Sequence, residues 1–485
     1  MDWPALNRIA REEWRYWSRS RLGLAACAVA LLLIVTSLVT TSLRIDAERD
    51  ARERLQLKAE ETFRDQPARH PHRMVHYGHY VFRTPAPLAK ADPGIDAYTG
   101  TVTFLEGHKQ NSATFSPTYI QPQAGPYATL SPALTYQLLV PLLLIIVGFA
   151  SISREREAGT DRLVLTMAVH PGTLWLGKSL ALGVLALATL LPLAVISAQA
   201  WVQGESGLVT VMFWLGYALY LLCWVFIITA ASAWTKRAAS SLLMLLACWV
   251  TLSILMPRLA SSAAEAWAPL TGKVQSDLAI AKELREVGGD GHNANDPAFA
   301  KLRAQLLAQY DVDSVDALPI NFRGVVAEVA EADLTLVLNR YAEERMDQEL
   351  AQARIASAFS LLSPFLSLKS YSTTTANTDL DQHHKYLREA EALRFSFVQR
   401  LNQLHAEELA YTDDINRSVD AESEQRTRVD ARNWRLLDDF IWKPASVADR
   451  LNKAGPFALV LLIWLIAAAF VGWKGANRAV WRADG

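Results

Sequence analysis

Apolar residues are concentrated in six long runs, separated by polar stretches of very unequal length. A helix that crosses a bilayer needs about 20 predominantly apolar residues, and each run approaches that length. We therefore predict six transmembrane helices, at 22–44, 131–152, 173–199, 208–233, 238–257 and 455–473. The first run is about twice as long as the apolar core of a signal peptide, so we expect it to remain as a membrane anchor.

The polar stretches differ in character. Segment 1–21 combines five arginines with three tryptophans, a pattern typical of an amphipathic helix at a membrane surface. Insertion 45–130 is rich in proline, glycine and tyrosine after residue 63, which favours turns and short extended pieces. Insertion 258–454 has helical periodicity, and its stretches 325–362 and 379–439 predict two long helices packed as a hairpin. The shorter stretches, 153–172 and 474–485, are a connecting loop and a tail.

Composition and charge refine this picture. The chain has 485 residues, 51% of them hydrophobic, and its mean hydropathy of +0.11 fits a mixture of apolar spans and polar insertions. The formal net charge of −1 conceals an asymmetry. The short segments carry 14 basic and seven acidic residues, a balance of +7, whereas the two insertions with Arg44 and Glu205 carry 34 basic and 42 acidic residues, a balance of −8.

Basic residues concentrate on the cytoplasmic side of membrane proteins. We therefore expect both termini and the loop at 153–172 to be cytoplasmic and both insertions to be extracytoplasmic. The fold class predicted is a mainly α membrane protein with six transmembrane helices and an N-terminal interfacial helix. Its large extracytoplasmic domain combines a long helical hairpin with a smaller part rich in turns and strands. The near-neutral charge gives no indication of a nucleic-acid partner.

One stretch matches a nucleotide-binding motif. The residues from Gly172 to Ser179 satisfy the P-loop pattern G-x-x-x-x-G-K-[ST]. That loop needs a preceding strand and a flexible turn, whereas these residues follow Pro171 and run directly into an apolar span. We interpret the match as chance, and no other catalytic motif is apparent. We expect no enzymatic activity, no catalytic residue and no bound cofactor in this chain.

The surroundings of this stretch are more informative. Ser153-Arg-Glu-Arg-Glu-Ala-Gly-Thr160 is followed by His170-Pro171 and by Leu176-Gly-Lys178. This pattern resembles the loop after the second membrane helix in permeases of ABC-2-type transporters, and six helices after an arginine-rich N-terminal helix fit that family. The histidine-rich and glycine-rich motifs of the first insertion and Ser360-Leu-Leu-Ser-Pro-Phe365 resemble a bacterial subgroup with large extracytoplasmic insertions.

The resemblance implies a membrane subunit of the bacterial inner membrane, one of two identical or paralogous permease copies. A separate cytoplasmic ATPase would bind ATP and dock on the loop, through Arg154, Glu155, Arg156, Glu157, Gly159 and Thr160. The substrate and the direction of transport stay open. One alternative is ATP-driven mechanotransmission to a periplasmic protein with no substrate crossing the membrane. Another is a membrane-anchored receptor or scaffold without an ATPase.

The first insertion also holds five of the ten histidines in the chain: His70, His72, His76, His79 and His108. Neutral imidazole is a common metal ligand. Their spacings do not match one secondary structure, because Pro71 and Gly78 interrupt the pattern. We therefore favour hydrogen-bonding histidines in a turn-rich loop over a metal site, and His383 and His384 are further histidines that could join them in space.

Overall fold

The structure is a computed structural model that describes residues 3–115, 130–166, 169–287, 291 and 293–478. Within these residues it confirms a mainly α membrane protein with six helices long and apolar enough to cross a bilayer, which we call spans 1 to 6. The spans are Gly23–Arg64, Pro132–Ala158, Pro171–Ala188, Gly207–Trp234, Ala238–Trp267 and Val447–Asn477. Span 2 has a turn at 149–152, and its last segment is the helix Ser153–Ala158.

Span 4 is the centre of the bundle and packs most extensively against span 6 and span 3. Its side chains Phe213, Tyr217 and Trp224 are fully buried. The outward faces of the bundle remain apolar, as at Leu32 in span 1 and Ile466 in span 6, both 60% exposed or more. Such a surface is stable only against lipid or another apolar partner, in agreement with the predicted membrane spans.

Spans 1, 5 and 6 are longer than predicted, since span 5 reaches Trp267 and span 6 covers Val447–Asn477, and span 3 is shorter. Span 1 extends well beyond the apolar run to Arg64, as the charged and helix-favouring stretch after residue 45 suggests. The run predicted as one helix at 173–199 is divided instead, because span 3 ends at Ala188 and a second helix, Leu191–Val202, follows. Pro192 lies in the first turn of that second helix, where its missing N–H costs little.

The N-terminal helix α1 (Trp3–Arg19) lies against span 3 and span 1. Gly177 of span 3 allows this close approach, because a Cβ there would lie 2.8 Å from Ile9 Cβ. We call this end of the bundle, where α1 meets residues 153–158, the α1 end. The two insertions together are the domain, and the opposite end of the bundle is the domain end. A two-stranded antiparallel sheet is formed by β1 (His79–Phe82), directly after Gly78, and β2 (Val102–Leu105), with His79 opposite Leu105.

The remaining α-helices are not spans, although the helix Leu191–Val202 packs against spans 1 and 4 inside the bundle. In chain order they are α2 (Pro71–Tyr77), α3 (Thr160–Thr166), α4 (Leu191–Val202), α5 (Lys273–Val287), α6 (Ala300–Tyr310), α7 (Phe322–Ala358), α8 (Pro364–Ala376), α9 (Leu380–Glu408), α10 (Tyr411–Asn416) and α11 (Ala421–Arg426). The short β-pair and α2 pack against α9 and span 1. The part of the first insertion at 116–129 lies outside the described residues.

Helices α7 and α9 pack against each other as the long hairpin expected from the sequence. Their contact is close at Gly324, where a Cβ would lie 2.3 Å from the backbone nitrogen of Ala406. The predicted end of the second helix at residue 439 is wrong, because α9 ends at Glu408 and shorter helices follow. Helix α8, between the two, packs against spans 4 and 6 and joins the hairpin to the bundle.

Candidate functional site

A network of charges, with Glu13 and Lys178 buried and Arg154 and Glu155 half-buried, fixes the predicted ATPase-docking loop at the α1 end. Lys178 of span 3 donates to Glu13 of α1 at 2.6 Å and to Glu155 at 3.0 Å. Arg154 contacts the same Glu13 carboxylate at 2.9 Å and stacks over the ring of Tyr16 at 3.7 Å. Because buried charges are stable only when paired, these contacts hold span 2, span 3 and α1 together.

The next residues of the loop contact two further spans. The guanidinium of Arg156 donates to the carbonyl oxygens of Ala233 and Thr235 at the end of span 4. Glu157 accepts a hydrogen bond from the backbone N–H of Ala238 at 3.1 Å, which caps the start of span 5. The segment 153–158 is therefore bonded to α1 and to spans 3, 4 and 5.

Beyond this anchored segment the loop faces outward. Gly159 adopts a left-handed φ of 71° with open space around its α-carbon, and it ends the helix Ser153–Ala158. The hydroxyl of Thr160 bonds to the Glu155 carboxylate at 2.6 Å. Glu157 is exposed, and Leu163 of α3 is 65% exposed. The structure thus divides the six predicted docking residues. Arg154, Glu155 and Arg156 bond to α1 and to the bundle, whereas the exposed Glu157 caps span 5 and also forms an outer surface with α3.

The residues that match the P-loop pattern lie inside span 3, from Gly172 to Ser179. Their backbone N–H groups are used by the helix, so this conformation cannot cradle phosphate. His170 caps the helix through the N–H of Gly172 at 3.1 Å and stacks on Trp473 of span 6. Lys178, the motif's lysine, is committed to Glu13 and Glu155.

A cavity of about 1480 Å³ lies where the domain meets the bundle. Its wall combines charged side chains of span 1, including Arg44 and Glu48, with apolar side chains such as Ala260 of span 5 and Leu366 of α8. It exceeds the 300–1,000 Å³ of typical small-molecule sites. A wall of this mixed character suits an amphipathic occupant.

The five histidines of the first insertion fall into three separate places. His72, His76 and His108 come together, with ligand nitrogens all within 4.8 Å of one another. His70 joins His405 and Asp414 in a second group, while His79 packs edge-on against Phe63. The sequence argument against a shared secondary structure is wrong for one pair. Pro71 begins helix α2 and Gly78 ends it, so His72 and His76 share one face at i, i+4.

His383 and His384 lie apart from these groups. His384 bonds to Glu349 at 2.8 Å across the α7–α9 hairpin, and burial lowers the pKa of His383 to about 4. In the second group, Asp414 accepts from His70 at 3.1 Å and from His405 at 2.8 Å. Burial alone would raise the pKa of Asp414, but these hydrogen bonds hold it well below its ordinary value.

Sequence reasoning missed a charged cluster behind His108. Glu331 of α7 and Arg394 of α9 form a fully buried ion pair, and Arg394 also contacts Glu391 at 2.7 Å and Thr335 at 2.9 Å. Burial alone would raise the pKa of Glu331, but the hydrogen bond from His108 and the charge of Arg394 lower it. The sequence signal was present, since Glu331 falls beside Ala330 in the apolar stripe of α7.

The comparisons with known proteins add one match. A family model described as a domain of unknown function (DUF3526) matches residues 273–443, which run from α5 beyond α11. No curated protein matches the chain. The matched region is most of the second insertion, and the description of the family names no activity.

Proposed function

We propose that this chain is the permease subunit of an ABC transporter, driven by a separate ATPase that docks at the α1 end. The observation that carries the proposal is the segment 153–158, which bonds to α1 and to spans 3, 4 and 5 through Lys178, Arg156 and Glu157. A force applied to this one segment would act on four helices at once. Glu157 and α3 form an exposed surface beside this segment, to which a partner could bind.

The proposal places the α1 end in the cytoplasm and the domain outside the inner membrane, as the +7 and −8 charge balance indicates. Two copies, identical or paralogous, would pair with two ATPases, and ATP would be bound by those partners. The amphipathic cavity at the domain end supports an amphipathic substrate.

The test uses exposed positions that leave the internal anchor intact. Leu163→Glu and Thr166→Lys change the outer surface, and Leu270→Glu and Ser262→Lys are matched controls near the far end of span 5. We expect the first pair to abolish co-purification of an ABC ATPase encoded beside this chain and to remove stimulation of its ATP hydrolysis. The controls should retain both. Undiminished co-purification and stimulation in the first pair would overturn the proposal.

Mechanotransmission is a second candidate, and a specific contact favours it. Helix α8 packs against spans 4 and 6, and Arg450 at the start of span 6 donates to the carbonyl oxygen of Thr375 in α8. The same guanidinium is held by a buried bidentate ion pair with Glu205 at 2.8 and 3.0 Å. The domain is therefore firmly joined to the bundle. ATP-dependent solute movement in vesicles that hold permease and ATPase supports transport, whereas coupled ATP hydrolysis without solute movement supports mechanotransmission. A scaffold without an ATPase predicts neither.

A further inference from the structure

We propose that His72, His76 and His108 form a binding site for a divalent transition-metal ion of the Zn²⁺ class. The proposal is independent of the transport function, because it concerns only the domain outside the bundle. The three imidazoles come from two separate elements, helix α2 and the turn after β2, and their ligand nitrogens lie within 4.8 Å of one another.

Helix α2 supplies the first two ligands. His70 caps it through the N–H of His72, and Pro71 occupies its first turn, where proline is favoured. The Nε2 atoms of His72 and His76 are 3.2 Å apart. With Zn–N bonds of 2.0–2.1 Å, two ligands of a tetrahedral site lie about 3.3 Å apart. The pair therefore already has nearly the separation that chelation requires.

The third ligand, His108, is held in place by a left-handed backbone conformation. Gly107 donates its N–H to the carbonyl of Val75 at 3.0 Å, and a Cβ at Gly107 would lie 2.0 Å from Val75 Cγ1. This close approach presses the turn onto α2. His108 then adopts a left-handed φ of 63°, a conformation that non-glycine residues keep only where the surroundings determine it. The result brings the ring of His108 to 5.2 Å from that of His76.

A buried carboxylate orients His108 from behind. Its Nδ1 lies 3.0 Å from Glu331, and the same carboxylate accepts its backbone N–H at 3.1 Å. Glu331 is in turn held by Arg394. A carboxylate on Nδ1 selects the Nδ1–H tautomer, in which Nε2 is the metal-ligating nitrogen, and this is the usual outer shell of metal-binding histidines.

The donor set defines the class of ion. Three neutral imidazoles suit Zn²⁺, Cu²⁺, Ni²⁺ or Co²⁺, whereas Ca²⁺ and Mg²⁺ require oxygen ligands. His76 is exposed, so the ion would have one coordination position open to solvent or another ligand. Such an arrangement is typical of exchangeable or catalytic sites, while structural zinc sites are closed.

The second histidine group shows why proximity alone does not suffice. His70, His405 and Asp414 are all buried. Arg417 and Arg323 also approach Asp414, at 3.1 and 3.6 Å, and would repel a cation. The second group is therefore a buried hydrogen-bond network. Of the two groups, the first has an exposed imidazole, and its His108 is oriented by Glu331, whose charge is paired with Arg394.

The test measures Zn²⁺ and Co²⁺ binding to the purified full chain by calorimetry and by the visible absorption of Co²⁺. We expect one ion per chain, a rise in thermal stability on binding, and a loss of affinity of at least about tenfold in His76→Ala and in Glu331→Gln. His76 is exposed, so its removal should leave the fold intact. His170→Ala, an exposed histidine at the α1 end, is the control and should bind as the parent does.

Equal affinity in the parent, His76→Ala and a His72→Ala/His76→Ala double variant would overturn the proposal, because any binding would then be adventitious. Absence of Zn²⁺ and Co²⁺ binding in the folded parent protein would overturn it as well. A tetrahedral Co²⁺ spectrum that is lost only in the cluster variants would support it.

Discussion

Replacement of Arg394 by methionine should destabilise the α7–α9 hairpin far more than the same replacement at Arg388. Both arginines lie on α9 and both form bidentate contacts with a glutamate, but their surroundings differ. Arg394 and its partner Glu331 are buried, with side-chain exposures of 1% and 0%. Arg388 and Glu343 are 45% and 48% exposed, with contacts of 2.7 and 2.6 Å.

The magnitudes follow from burial. Removal of one partner from a buried ion pair leaves an uncompensated charge and costs about 3–5 kcal/mol. Arg394→Met leaves two such carboxylates, Glu331 and Glu391, which places it at the upper end of that range. An exposed pair contributes only about 0.2–1 kcal/mol. Since each 1.4 kcal/mol is a factor of ten, a cost of about 4–5 kcal/mol should make opening of the hairpin about 10³ times more favourable or more in Arg394→Met.

Hydrogen–deuterium exchange on the full chain measures this locally, through the protection of amides in α7 and α9. Arg388→Met is the matched control and should change their exchange by less than about tenfold. A variant with Glu331→Gln and Glu391→Gln added to Arg394→Met should recover part of the loss, because it removes the stranded charges. Equal effects of Arg394→Met and Arg388→Met would refute the reasoning.

Two further predictions concern other buried positions. Burial lowers the pKa of His79 to about 4 from 6.5. The contribution of neutral His79 to the free energy of unfolding is therefore complete above pH 6.5 and is lost as the pH falls towards 4. The loss reaches about 2 kcal/mol at pH 5. His79→Phe should therefore make the melting temperature less dependent on pH over that interval, and an unchanged slope would contradict the assignment. Gly216→Ala should cost about 1–3 kcal/mol, since its Cβ would lie 2.2 Å from Cε1 of Tyr371. Gly183→Ala, with its nearest neighbour at 3.7 Å, should be nearly neutral, and equal melting temperatures for the two glycine variants would argue against tight packing of α8 on span 4.

The spans were predictable because a bilayer imposes a length and an apolar composition that the chain cannot avoid. Pro192 indicates a kink in the third apolar run, but the division into span 3 and α4 was not predicted, since Thr189 and Pro192 stand inside a run that stays apolar throughout. The second hairpin helix was predicted too long for a related reason. Residues 409–439 favour helix in composition, but Asp420 and Asp430 cap new short helical turns instead of continuing one.

The candidate sites were predictable only where their residues lie close together in the sequence. His72 and His76 are separated by one helical turn, so a helix between Pro71 and Gly78 would have revealed the pair. His108 reaches them only through the pairing of β2 and the contact of Gly107 with Val75, and neither is encoded locally. The loop at 153–160 was found by its resemblance to a family, yet the partners of its charges, Glu13 and Lys178, depend on the packing of α1.

The two ends of the bundle are mechanically connected by span 4, and this bears on how the transport and mechanotransmission hypotheses can be separated. At the α1 end, the hydroxyl of Ser232 accepts the backbone N–H groups of Ile152 and Ser153, both at 3.0 Å. At the domain end, Tyr217 bonds to Ser372 of α8 at 2.8 Å. Helices are stiff, so a displacement of residues 153–158 would reach α8 and the hairpin with no flexible loop in the path. Both hypotheses use this same route, and therefore a movement of the domain on ATP binding would support either one. Only solute flux across a vesicle membrane distinguishes them.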